Sequence, residues 1–173
     1  MNCAEDLRAR GGWRGEHRDV LLGPDGELVW EREWGQNVLV DTARINLAAL
    51  VKGDPSAGRV AFWAVGTGDP AWDASPPADA VRMTFTKLVA EVARKPIAPG
   101  QITFAPPGAA GKTLEIQSTF VAADFDQAKP LPLLREFGLF SSGTPNLLMN
   151  RRVHPPIGMQ PGFTLQRTLR LTF

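Results

Sequence analysis

Short stretches of the chain alternate hydrophobic and polar residues, which is the pattern of β-strands with one buried face. The clearest stretch is FTLQRTLRLTF, residues 163–173, which closes the sequence. Apolar residues fall on one face of such a strand and polar residues on the other: Phe163, Leu165, Leu169, Leu171 and Phe173 against Thr164, Gln166, Thr168, Arg170 and Thr172.

A hairpin is predicted near the start, because the turn Gly23-Pro24-Asp25-Gly26 separates two apolar-rich runs. After this turn, Leu28, Trp30 and Trp34 alternate with glutamates. Further strands are expected in the segments GRVAFWAVGTGD (58–69), QITFA (101–105), KTLEIQSTFVAADF (112–125), LLREFGLFSS (133–142) and NLLMNRRVHPP (146–156).

Helical spacing occurs in residues 38–54, where Ile45, Ala48, Ala49 and Val51 recur on one face. Asp41 or Thr42 is suited to cap this helix, and Gly53 to end it. The segment FTKLVAEVARKPI (85–97) favours a short helical turn that Pro96 limits. The predicted fold class is therefore mainly β: an antiparallel β-sandwich or barrel-like sheet with one or two short helices.

The length of 173 residues suits one domain with a substantial core. Its opening shows no clear periodicity, so we predict an N-terminal arm over residues 1–18 that orders on assembly. Residues 19–173 are expected to form a single β-rich domain.

The net charge is +1, which implies no broad attraction to nucleic acid or to an anionic membrane. No apolar run approaches the ~18 residues of a transmembrane helix. We therefore expect neither a nucleic-acid partner nor membrane insertion.

A nucleotide-binding loop is suggested by ITFAPPGAAGKTLEI, residues 102–116, which contains Gly-Lys-Thr. Pro106 stands where a P-loop requires its first glycine, and Thr113 begins a strand pattern rather than a helix. We interpret the segment as a strand–loop–strand connection and predict no cofactor.

Catalytic and metal-binding patterns are weak. His17 and His154 are the two histidines, Cys3 is the one thiol, and their spacing does not resemble a zinc site. There is no Gly-x-Ser-x-Gly elbow, and His154 precedes two prolines, as a turn or exposed histidine would. The chain is predicted not to be an enzyme.

Six residues are candidates for contacts with other subunits. Arg135 and Glu136 lie among apolar residues, as an edge-strand ion pair or as interface residues. The tryptophans in loop-like contexts are either interface anchors or caps of the domain's own core. The full set is Trp13, Trp72, Arg135, Glu136, Arg151 and Arg152.

The order of several segments resembles that of bacteriophage and prophage tail-associated structural proteins. It is also similar to the N-terminal attachment domain of phage tail-collar fibre proteins. The matching features are AVGTGDPA (64–71), LVAEVARKP (88–96), LREFGLF (134–140) and the closing PPI…LTF, within a resemblance that runs from Asp19 to Phe173. Such fibre proteins continue into a long shaft, whereas this sequence stops at Phe173.

The resemblance implies a non-enzymatic virion protein of a phage tail, baseplate or fibre-attachment region, or of a related contractile injection particle. Its partners would be other copies of itself and other tail or baseplate proteins, in a particle assembled in the host bacterial cytoplasm. The alternative is a carbohydrate- or receptor-binding module, in which loop tryptophans, Asp69 and Asp73 contact a glycan. A small hydrolase is a third hypothesis that no motif supports.

Overall fold

The computed structural model describes residues 14–107 and 111–173, which form nine strands and two α-helices. The strands are β1 (Arg14–Leu22), β2 (Leu28–Leu39), β3 (Val60–Gly66), β4 (Glu91–Pro96), β5 (Ile102–Phe104), β6 (Thr113–Val121), β7 (Leu133–Ser141), β8 (Leu148–Gly158) and β9 (Thr164–Thr172). The helices are α1 (Asp41–Lys52) and α2 (Asp79–Met83), with 3₁₀ turns at Pro70–Asp73, Pro99–Gln101 and Ala122–Asp124.

All strand pairs are antiparallel, in the order β4-β3-β7-β8-β2-β1-β9-β6-β5. β2 pairs with β1 along most of its length, but with β8 only through Val38↔Arg151 and Leu39↔Asn150. The sheet therefore bends at β2 into two layers, which we call sheet half A (β5, β6, β9, β1, β2) and sheet half B (β8, β7, β3, β4). This confirms the predicted mainly β, sandwich-like fold with two short helices.

The main core fills the space between the two halves. Phe120 and Leu165 from half A meet Trp63, Phe137 and Leu139 from half B, and all are fully buried. A second cluster covers the outer face of half B: Val40, Ala64, Leu88, Phe140 and Leu148. β7 is therefore buried on both faces, which explains its nearly continuous apolar sequence.

A side chain bridges the far edges of the two halves. The Lys95 Nζ of β4 donates to the Thr119 carbonyl of β6 at 2.8 Å and to Asp124 Oδ2 at 2.9 Å. This contact brings the free side of β6 against β4.

Helix α1 ends as predicted at Gly53, which is left-handed with φ 77°. Its start differs from the prediction. Val40 is the N-cap residue without a side-chain cap bond, and the Thr42 hydroxyl donates to the Leu148 carbonyl of β8. The side chain of Thr42 therefore ties the helix to half B rather than capping it.

Two further boundaries differ from the sequence analysis. Residues 14–18, predicted as part of the arm, are the first half of β1 and pair with both β2 and β9. The segment 85–97, where a short helical turn was predicted, instead contains β4 at Glu91–Pro96, because Ala93 and Arg94 join the ladder of β3. Residues 1–13 lie outside the described part of the chain.

Candidate functional site

The six candidate contact residues separate into groups. Trp13 lies outside the described residues. Trp72, Arg135, Glu136 and Arg151 come together at the outer face of half B. Arg152, on the neighbouring position of β8, instead lies beside β2, where its Nη1 donates to the Gln36 carbonyl at 2.8 Å.

Glu136 and Arg151 form an ion pair with no exposed side-chain surface. Glu136 Oε2 accepts from Arg151 Nη2 at 2.5 Å and from Nε at 2.9 Å, while its Oε1 accepts from the Ala90 backbone at 3.0 Å. The Arg151 guanidinium lies 3.7 Å from the ring centroid of Phe85 and 5.0 Å from that of Trp72. The hypothesis that Glu136 and Arg151 contact another subunit is therefore wrong, since both are sealed inside this chain.

Arg135 forms a two-pronged ion pair with Asp73. Its Nε and Nη2 lie 2.8 Å and 2.8 Å from the two carboxylate oxygens, and this guanidinium lowers the pKa of Asp73. The pair holds the 3₁₀ turn that carries Trp72 against the sheet. Trp72 thus covers the chain's own Glu136–Arg151 pair from one side and keeps part of its surface exposed.

The carboxylates named for the glycan-binding alternative are also engaged inside the chain. Asp73 is held by Arg135, and Asp69 Oδ1 accepts from the Ala71 backbone at 2.9 Å as the cap of the 3₁₀ turn. No observation in the described residues favours a glycan site on this turn.

A second polar group lies in the main core, between the sheet halves. Asp19 and Arg167 are fully buried and approach at 3.2 Å between Oδ1 and Nε. Arg167 Nη2 lies 2.9 Å from His154 Nε2, and Arg32 Nη1 lies 3.4 Å from Asp19 Oδ2. With His17, also buried, these residues form what we call the His–Arg cluster.

Both histidines of the cluster are held neutral. His154 Nδ1 donates to the Pro155 carbonyl at 2.8 Å, so its Nε2 is the acceptor for Arg167. Burial and the neighbouring Arg167 hold the pKa of His154 well below its usual range. His17 Nδ1 donates to the Gly35 carbonyl at 2.9 Å, and burial lowers the pKa of His17 to about 4 although Asp19 opposes this.

One aromatic ring packs against the cluster. The Phe137 ring lies 5.6 Å from His17 and 6.0 Å from His154, and the Arg167 guanidinium lies 4.5 Å from the same ring. Burial lowers the pKa of Arg167 to about 10. The prediction of His154 as a turn or exposed histidine is wrong, because its side chain is 4% exposed and faces this interior.

The sequence carries a signal of this cluster that was not among the predicted sites. Arg167 lies on the same apolar face of β9 as Leu165 and Leu169. His17 and Asp19 lie on the same face of β1 as Leu21. A charged residue on the apolar face of a strand needs a buried partner. The partners lie on other strands, and the local alternation of apolar and polar residues does not predict the order of the strands.

The His–Arg cluster can bind and orient charge, but among the described residues no serine, threonine or cysteine hydrogen-bonds to either histidine. In the same part of the chain, no group of three or more histidine, cysteine, aspartate or glutamate side chains is placed to hold a metal ion.

An apolar groove opens at one end of the sandwich, and we call it the α1 groove. It lies between α1 and the ends of β2, β6, β8 and β9, and encloses about 140 Å³. Its apolar lining includes Leu39, Leu47, Leu50, Met149, Leu171 and Phe173.

Two of the lining side chains also face solvent, since Phe173 is 45% exposed and Leu50 44%. Val51 and Ile45, which do not line the groove, are exposed elsewhere on α1. The helical spacing of Ile45, Ala48 and Val51 predicted α1 correctly, although these three residues are exposed and the buried side chains of the helix are Ala43 and Asn46. None of the helices in the described ranges is long and apolar enough to cross a membrane.

Comparison with known proteins gives no family assignment: no protein-family model, no curated protein and no solved structure matches this chain.

Proposed function

We propose that the chain is a non-enzymatic structural subunit of a phage tail, baseplate or fibre-attachment region, or of a related contractile injection particle. It acts by binding neighbouring subunits of the particle. The observation that carries this proposal is the α1 groove together with the exposed apolar residues Leu50 and Phe173 that line it.

The groove suits a protein–protein contact. Burying apolar surface contributes roughly 25 cal/mol per Å², and soluble monomers rarely leave large contiguous apolar patches exposed. Leu50 and Phe173 both line the groove and face solvent, so a neighbour that covers them gains this free energy. The described candidate contact residues outside the groove all make contacts within the chain, which leaves the groove as the better-supported contact surface.

The resemblance in segment order adds the class of particle. The segments that carry it are AVGTGDPA, LVAEVARKP and LREFGLF, which coincide with β3 and its turn, β4, and β7. They build half B and the pocket for the Glu136–Arg151 pair. The resemblance therefore concerns the scaffold, and the groove supplies the contact surface by which this scaffold joins a particle.

The test is incorporation into particles. Tagged wild-type chain, Leu50→Glu and Val81→Glu would each be produced in a bacterium that makes the particle, and purified particles would be analysed by mass spectrometry. Val81 is the matched control, since it is a 52% exposed valine on α2 that does not line the groove.

We expect wild type and Val81→Glu to be present in the particles. The amount of Leu50→Glu in the particles should be lower by about tenfold or more, which corresponds to the loss of about 1.4 kcal/mol or more of binding free energy at a contact residue. Circular dichroism would establish that both variants fold. Absence of the wild-type chain from all particles would refute the tail role. Equal incorporation of the two variants would show that the groove is not the contact surface.

A further inference from the structure

A gap separates most of β2 from β8. The two strands pair only through residues 38–39 and 150–151, although β2 begins at Leu28 and β8 runs to Gly158. Beyond this short ladder, arginine side chains bridge the strands. Arg152 of β8 donates to the Gln36 carbonyl of β2, and Arg32 Nη2 of β2 lies 3.5 Å from the Pro155 carbonyl of β8.

Positive charge exceeds negative charge at the inner side of this gap. Arg32 and Arg167 both contact Asp19, at 3.4 Å and 3.2 Å. Asp19 is the one carboxylate among the described residues that acts on both guanidinium groups. With both histidines neutral, two cations share one anion, and an excess buried charge is costly unless something neutralises it.

The two guanidinium groups also have donor capacity to spare. Arg167 Nη1 is buried and has no hydrogen-bond partner in the part of the chain that the structure describes. The contacts of Arg32, at 3.4 Å and 3.5 Å, are at the long limit for hydrogen bonds. The side chain of Arg32 is 23% exposed, so it reaches from the buried cluster to solvent at the gap.

We propose that the gap between β2 and β8 is a binding site for a small oxyanion, a phosphate or a carboxylate, held by the guanidinium groups of Arg32 and Arg167. A guanidinium presents paired N–H groups that match the oxygens of these anions. The bound anion neutralises the excess charge and accepts from donors that Asp19 leaves free. This site is independent of the α1 groove and of the proposed tail role.

The experiment compares thermal unfolding of wild type, Arg32→Gln and Arg18→Gln in sodium phosphate, sodium acetate and sodium chloride at equal ionic strength. Arg18 is the matched control. Its replacement removes the same positive charge, but from an exposed ion pair with Glu31 that joins the neighbouring strands β1 and β2. We expect phosphate or acetate to raise the Tm of wild type and Arg18→Gln in a saturable way beyond chloride. In Arg32→Gln the half-saturating concentration should rise about tenfold or more, as for the loss of a charged hydrogen bond.

A second readout follows the histidine rings by NMR during the same titrations. His154 contacts Arg167, so its ring resonances should move with the midpoint that the Tm gives. If Arg32→Gln does not fold, Arg32→Lys keeps the charge but loses the paired donors, and weaker binding is again expected.

The result with the two anions assigns the ligand class: a response to phosphate alone identifies a phosphate site, and a response to acetate identifies a carboxylate site.

Two results would overturn the proposal. One is no effect of either anion beyond that of chloride; the other is an equal loss of response in the Arg32 and Arg18 variants, which marks general ionic screening.

Discussion

Glu136 and Arg151 show how a charged pair becomes part of a core. Each is adjacent in sequence to an arginine that makes its contacts elsewhere, one with the 3₁₀ turn at Pro70–Asp73 and one with β2. The Phe85 and Trp72 rings then exclude water from the pair. Such a pair contributes specificity to the fold, since either charge alone is strongly unfavourable there.

Replacement of Glu136 by glutamine should therefore be severe. It leaves Arg151 buried without a counter-charge, and we expect a loss of about 3–5 kcal/mol in the free energy of unfolding. Urea denaturation measures this loss. Glu115→Gln is the control, because its pair with Arg170 is partly exposed and should contribute about 1 kcal/mol or less. Similar losses in the two variants would contradict the burial argument.

The His–Arg cluster predicts acid sensitivity. The folded-state pKa of His17 is about 4, below the usual 6.5, so the unfolded chain binds more protons between these values. Stability should therefore be full above pH 6.5 and should fall by about 3 kcal/mol as the pH drops to 4, since each unit of pKa is about 1.4 kcal/mol. Carboxylates with lowered pKa, such as Asp73, lose their contribution only at lower pH.

The measurement is the free energy of unfolding as a function of pH for wild type and for His17→Gln. We expect a shallower slope in the variant between pH 6.5 and 4, with His154 supplying what remains, because burial lowers its pKa in the same direction. A flat wild-type profile across this range would show that neither histidine is buried as a neutral group.

At the scale of elements, two loops cross at a point where their backbones lie very close together. The loop before β3 and the turn between β7 and β8 meet at Gly58, where an added Cβ would lie 2.0 Å from the Gly143 nitrogen and 2.6 Å from the Ser142 carbonyl carbon. Asn46 of α1 secures the same loop by hydrogen bonds of 2.7 Å and 3.1 Å to Gly58. The sequence pattern placed Gly58 at the start of a predicted strand and gave no sign of this close approach.

Gly58→Ala should consequently destabilise the chain by about 1–3 kcal/mol, because backbone atoms must move to admit the methyl group. Gly100→Ala is the control, since nothing lies within 4 Å of an added Cβ there. That variant should be neutral or stabilised by up to about 1 kcal/mol, through a less flexible unfolded chain. Thermal unfolding of the two glycine variants measures this difference. Equal Tm values would refute the close approach of the two loops at Gly58.

At the scale of the whole molecule, the sandwich is joined unevenly. One side has the two-residue ladder between β2 and β8, with arginines in the gap beyond it. The other side has the Lys95 bridge from β4 to β6, which also positions Asp124, whose carboxylate accepts from the Val121 backbone at 2.8 Å. A few side chains thus connect two sheet halves that are each extensively hydrogen-bonded.

Lys95→Met should weaken the closure between the halves. We expect a loss of about 1.5–3 kcal/mol, the range for hydrogen bonds to charged groups. Lys129→Met is the control, because Lys129 pairs with Asp126 on the exposed surface and should cost less than about 1 kcal/mol. Hydrogen exchange should show faster exchange in β6 of Lys95→Met alone, and unchanged exchange there would argue against a closing role.

The sequence by itself determined the β-rich class, the β1–β2 hairpin, β9 and the end of α1 at Gly53. Each of these follows from alternation or turn chemistry within a few residues, where local physics is sufficient. Only the tertiary structure decided that residues 91–96 are a strand rather than a helical turn, since β3 supplies their hydrogen-bond partners. It also decided which charged side chains are buried. Arg167 contacts Asp19, which lies 148 residues away in the sequence, and Arg151 of β8 contacts Glu136 of the neighbouring β7. Burial and pairing depend on strand order, which brings together residues that no local pattern connects.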